Sequence, residues 1–104
     1  MTGAAGPARP RRIGVLGGSF DPPHLGHLIL AQECWWALRL DEVRLVPAAR
    51  SPLKESAPRF DAATRARMVA RAVEGHPGLT LSRVVLHRDP PSYTVDTLEA
   101  FAAA

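Results

Sequence analysis

Apolar residues along this chain alternate between short continuous runs and longer stretches with helical spacing. Ile13, Gly14, Val15 and Leu16 form the first run, as expected of a short parallel strand covered on both faces. From about Leu25 to Leu40 the spacing predicts a helix. Leu25, Leu28, Ile29, Trp35 and Trp36 share its packing stripe, with Gln32 as the one polar member. Val43 to Val46 is a second strand, ended by Pro47. Asp61 is a good N-cap for a second helix, which runs to about Glu74 and is closed by Gly75 and Pro77. Arg65, Arg67 and Arg71 read as the wet face of that helix, with Arg67 the one able to turn inward. Leu79 to Leu86 is a third strand, and Tyr93 to Ala104 a third helix capped by Ser92 or Thr94. The order is βαβαβα, an α/β arrangement with a parallel sheet.

With 104 residues the chain makes one small domain with a modest core. Residues 1–12, rich in Ala, Gly, Pro and Arg, read as a flexible N-terminal arm, and residues 13–104 as the domain. The net charge is +3, but 12 of the 13 basic residues are arginine and Lys54 is the only lysine. These arginines are not interleaved with aromatics on one surface, so nucleic-acid binding is not indicated. Cys34 is the only cysteine. It allows no intramolecular disulfide, which suits the cytoplasm, and its apolar neighbours make it a structural thiol. No apolar stretch is long enough to span a bilayer, and residues 1–12 lack the apolar region of a secretory signal.

The candidate chemistry lies between the first strand and the first helix, in Gly17-Gly18-Ser19-Phe20-Asp21-Pro22-Pro23-His24-Leu25-Gly26-His27. A helix N-terminus carries unpaired N–H groups and a partial positive charge, so it favours anions. Glycines before it let the backbone approach a phosphate without a Cβ in the way. His24 and His27, three residues apart, share one face of the first turn. Together these parts describe a polyphosphate site with two imidazoles in contact. Asp21 reads as a brace for the loop, because a carboxylate beside phosphates would repel them. The paired histidines have no further spacing that completes a zinc site, so no protein-bound metal is expected.

The same stretch resembles the signature of the H-x-G-H nucleotidyltransferases, a superfamily with a Rossmann-like fold. Its longer form, G-G-S-F-D-P-P-H-L-G-H-L, resembles nicotinate-nucleotide adenylyltransferase. That resemblance implies transfer of AMP from ATP to nicotinate mononucleotide, giving deamido-NAD and pyrophosphate in NAD biosynthesis, with Mg2+ accompanying ATP. It makes His24 and His27 the catalytic contacts to the ATP phosphates. Gly17, Gly18, Ser19 and Phe20 would complete the phosphate loop, and Lys54 would reach a phosphate from the loop after the second strand.

A second match, Pro91-Ser92-Tyr93-Thr94-Val95-Asp96-Thr97-Leu98, resembles the family's S-Y-T-x-x-T-L segment. It assigns Ser92, Tyr93 and Thr94 to nicotinate-nucleotide binding. The chain departs from the family in three places. Leu53 stands where the family has a histidine, Val85 lies near an expected acidic residue, and a late I-S-S-T-x-x-R-type motif is missing. The resemblance therefore implies the front half of the enzyme, and an incomplete sheet whose open edge favours self-association. The rivals are a non-catalytic nucleotide-binding fragment and another H-x-G-H transferase, such as pantetheine-phosphate adenylyltransferase. The double glycine and Ser92-Tyr93-Thr94 argue against the latter.

Overall fold

The three apolar runs pair as parallel strands in the computed structural model, which describes residues 10–48, 58–87, 98–99 and 101–102. Strand β1 is Ile13–Gly18, β2 is Glu42–Pro47 and β3 is Leu79–Leu81, in the order β1-β2-β3. Ile13 lies opposite Glu42, Gly18 opposite Pro47, and Val43 opposite Leu79. Helix α1 (Leu25–Ala37) joins the first two strands and α2 (Ala62–Val73) the second pair. The fold is the Rossmann-like α/β arrangement that the sequence pattern implies.

Alternation along β2 explains the core. Val43 and Leu45 point to one face, where they join Leu79, Ala31 of α1, and Val69 and Val73 of α2 in a single buried cluster with Phe20. Both described helices therefore cover the same face of the sheet. On the other parity Arg44 places its guanidinium 4.6 Å from the centre of the Phe101 ring, a cation–π contact made by the helical residues near the C-terminus. At the amino ends of the strands, Glu42 gathers Arg11, Arg44 and Thr80 at 2.9, 3.0 and 2.7 Å. Arg12 is fastened beside it, its backbone N–H donating to Asp41 and its guanidinium to the Leu38 carbonyl.

Three expectations are corrected. First, the packing stripe of α1 is rotated: Ala31 is buried, Leu28 and Trp35 pack beside it, and Leu25, Ile29 and Trp36 are exposed. The helix is apolar nearly all round, so periodicity could not fix its rotation. Small Ala31 and the anchored Trp35 do. The Trp35 ring lies flat against Gly78, where a Cβ would fall 2.1 Å from it, and His76 meets its edge while bonding Gln32. Second, the third strand stops at Leu81. The Ser82 hydroxyl then accepts from the Val84 N–H, and a 3-10 turn spans Val85–His87. Third, Arg65 is on no wet face; it is buried among the core residues. Cys34 is half-buried. Among the described residues no helix is long and apolar enough to cross a membrane.

Candidate active site

The carboxyl ends of β1 and β2 hold the loop that carries the paired histidines, the position at which open α/β sheets bind ligands. Gly17 and Gly18 continue β1, and the Gly18 carbonyl accepts from the Ala48 N–H at 2.9 Å. A Cβ on Gly17 would meet nothing within 4 Å, so this strand end is open on that side. The chain then turns sharply. Phe20 adopts φ +50°, in the left-handed region, while its ring is 1% exposed. A bulky residue held there costs about 1–3 kcal/mol, which its surroundings must over-determine.

Two groups hold it. The Asp21 carboxylate accepts from the backbone N–H groups of Arg59 and Phe60, at 2.7 Å for Phe60, so the aspartate braces the loop against the entry to α2. Partial burial opposes its charge, but these two donors and the Arg65 and Arg59 guanidinium groups outweigh that and hold the carboxyl below its ordinary value. On the other side the Arg65 guanidinium donates to the carbonyls of Ser19 at 2.8 Å, Ala48 at 2.6 Å and Phe60 at 2.9 Å. Arg65 escaped the sequence reading, although the signal was there. It sits four and eight residues before Val69 and Val73, on the stripe that faces the sheet.

His24 and His27 form the first turn of α1 and cap it. The Gly26 N–H donates to His24 Nδ1 at 3.1 Å, and the His24 N–H donates to His27 Nδ1 at 3.0 Å. This is a capping box built from imidazoles in place of hydroxyl and carboxylate. The rings stack with centroids 3.8 Å apart, and the Phe20 ring stands edge-on to His27 at 4.7 Å. The caps decide the tautomers. With both Nδ1 atoms accepting, each neutral ring carries its proton on Nε2, so each offers one N–H donor beyond the cap. Burial, and then the neighbouring His24 charge, holds His27 below the ordinary imidazole value.

Gly26 completes the device. A Cβ there would lie 2.9 Å from His24 Cε1 and 3.0 Å from its Nδ1, so only glycine leaves room for the ring to fold back over the helix end. That is a physical reason for glycine at position 26 of this chain. Among the described residues no three His, Cys, Asp or Glu side chains are grouped to hold a metal ion. The structure thus brings together Gly17, Gly18, Ser19, Phe20, His24 and His27. Lys54, Ser92, Tyr93 and Thr94 lie outside the described residues.

Residues 15–102 match the family described as cytidylyltransferase-like. The chain belongs to that family. Within it, the chain is similar to curated relatives named "Probable nicotinate-nucleotide adenylyltransferase". The Pseudomonas entomophila relative is 50% identical over 93 residues, which is 89% of this chain and 42% of the relative. The Bordetella petrii relative is 48% identical over 93 residues, covering 89% of this chain and 47% of the relative. The Pseudomonas syringae pv. tomato relative is 52% identical over 94 residues, covering 90% of this chain and 42% of the relative. This cytidylyltransferase-like chain therefore spans less than half the length of the relatives it matches.

Proposed function

We propose that this chain carries the ATP-holding part of a nicotinate-nucleotide adenylyltransferase. The observation that carries the proposal is the imidazole capping box at the start of α1, in which both Nδ1 atoms accept and each neutral ring keeps an Nε2–H to donate. The relatives' names supply the substrates. In this reaction a phosphate oxygen of nicotinate mononucleotide attacks the α-phosphorus of ATP, and pyrophosphate leaves. The protein's task is positioning and the stabilisation of charge on the phosphoryl oxygens. His24 and His27 would donate from Nε2 to those oxygens. The backbone of Gly17, Gly18, Ser19 and Phe20 would line the phosphate path, and Lys54 would add a cation.

Mg2+ would enter as part of the ATP complex, held by phosphate oxygens and water. The one carboxylate in the loop, Asp21, already accepts two backbone donors, which suits bracing better than metal ligation. Ser92, Tyr93 and Thr94 would meet the pyridine ring and its carboxylate. The setting is the cytoplasm, where a single free cysteine is at home.

The test is product formation by the purified chain given ATP, Mg2+ and nicotinate mononucleotide. Deamido-NAD and pyrophosphate in equal amounts are the expected products. Product with phosphopantetheine in place of the pyridine nucleotide would assign a different acceptor. The chain's share of its relatives' length favours a second reading, a nucleotide-binding portion without catalysis. ATP binding with no product from any acceptor would establish that reading instead.

A further inference from the structure

We infer that Arg65 is a positioning residue for the phosphate loop: its buried guanidinium orients the Ser19–Phe20 peptide and so aims the Phe20 N–H at the bound anion. This rests on the reading of the His24–His27 loop as a triphosphate site.

The three carbonyls that Arg65 grips belong to three different segments. Ser19 is in the turn after β1, Ala48 follows β2, and Phe60 precedes the N-cap of α2. One planar, rigid group thus fixes two loops at the carboxyl edge of the sheet relative to each other. A lysine ammonium is a point charge on a flexible stem and cannot reproduce that fork.

Peptide planarity carries the effect to the site. The Ser19–Phe20 peptide is trans, so its C=O and N–H point in opposite directions. Arg65 draws the Ser19 carbonyl inward, which turns the Phe20 N–H away from the buried side. Phe20 cannot relax from its left-handed backbone, because Arg65 holds the peptide before it and Asp21 anchors the residue after it. The same turn sets the Phe20 ring against His27. Arg65 acts through the turn.

The experiment is an NMR titration of the purified chain with inorganic pyrophosphate, following backbone amides and histidine ring protons in wild type and in Arg65→Lys, with a melting curve for each. In wild type the Phe20 amide and both histidine rings should shift together. In folded Arg65→Lys the affinity should fall at least tenfold and the Phe20 amide response should be lost. The His27 ring signal should move even without pyrophosphate, because the Phe20 ring current on it changes. An Arg65→Lys chain that folds, binds within twofold of wild type and keeps the Phe20 response would overturn the assignment. If that variant does not fold, wild type decides. A Phe20 amide that shifts with the histidines supports the role, and one that stays still while they shift overturns it. A wild type in which neither responds removes the phosphate reading, and the Arg65 role with it.

Discussion

Replacing Gly26 with alanine separates the two tasks of the histidine pair. The new Cβ would sit 2.9 Å from His24 Cε1, closer than such atoms approach, so the ring must swing away. The swing breaks the bond from the Gly26 N–H to His24 Nδ1 and the stack on His27. Loss of a side-chain N-cap costs about 0.5–2 kcal/mol. Exchanging glycine for alanine in a helix returns up to about 1 kcal/mol. The two nearly cancel, so stability should change by no more than about 1 kcal/mol. Binding has no such compensation. A displaced His24 loses one hydrogen bond to a charged phosphate, worth about 1.5–3 kcal/mol, or about 10- to 100-fold in affinity. Thermal melting gives the first quantity, and isothermal titration with Mg2+–ATP gives the second. A Gly26→Ala chain that binds ATP within twofold of wild type would refute the inference that the glycine exists to seat His24.

Burial of His27 beside His24 also makes the fold pH-sensitive. His27 is held below its ordinary value, so the folded state binds fewer protons than the unfolded chain. Its contribution is complete above the unfolded value near 6.5 and is lost as pH falls below it. The melting temperature should therefore drop in mild acid, and His27→Gln should flatten the dependence; an unchanged slope in that variant would count against it. Gly78→Ala should destabilise by about 1–3 kcal/mol, because the Trp35 ring occupies the space the methyl would need; denaturant unfolding reads this, with a near-neutral result contradicting the packing. β1 has no partner on its outer edge among the described residues, and Ile29, Leu30 and Trp36 are exposed. Sedimentation should show concentration-dependent association, reduced in Trp36→Lys; a clean monomer at all concentrations would contradict it.

The loop and the order of the first five elements, β1 to β3, were legible because local chemistry fixes them; most of the expected third helix lies outside the described residues. A glycine-rich strand end, two prolines and two histidines at helical spacing allow few arrangements. What could not be read was rotation and exception. α1 is apolar on all sides, so only tertiary contacts at Ala31 and Trp35 choose which face turns inward. Arg65 obeyed the periodicity of its helix but not the habit of its residue type. A buried arginine becomes tolerable only when the carbonyls of Ser19, Ala48 and Phe60 converge on it, and the first two are distant from it in sequence. Phe20 is the same case. Nothing local announces a left-handed phenylalanine, since the burial of its ring and the bonds on both sides create it. Family resemblance supplied the proposed chemistry, and the structure adds that each Nδ1 of His24 and His27 accepts a backbone N–H.

The most direct test of the account is the affinity of Mg2+–ATP for wild type, His24→Ala and His27→Ala, measured side by side at neutral pH with a melting curve for each. Wild type should bind, and each variant should remain folded and lose at least tenfold in affinity. Equal affinity in all three would mean that the paired imidazoles cap a helix and nothing more.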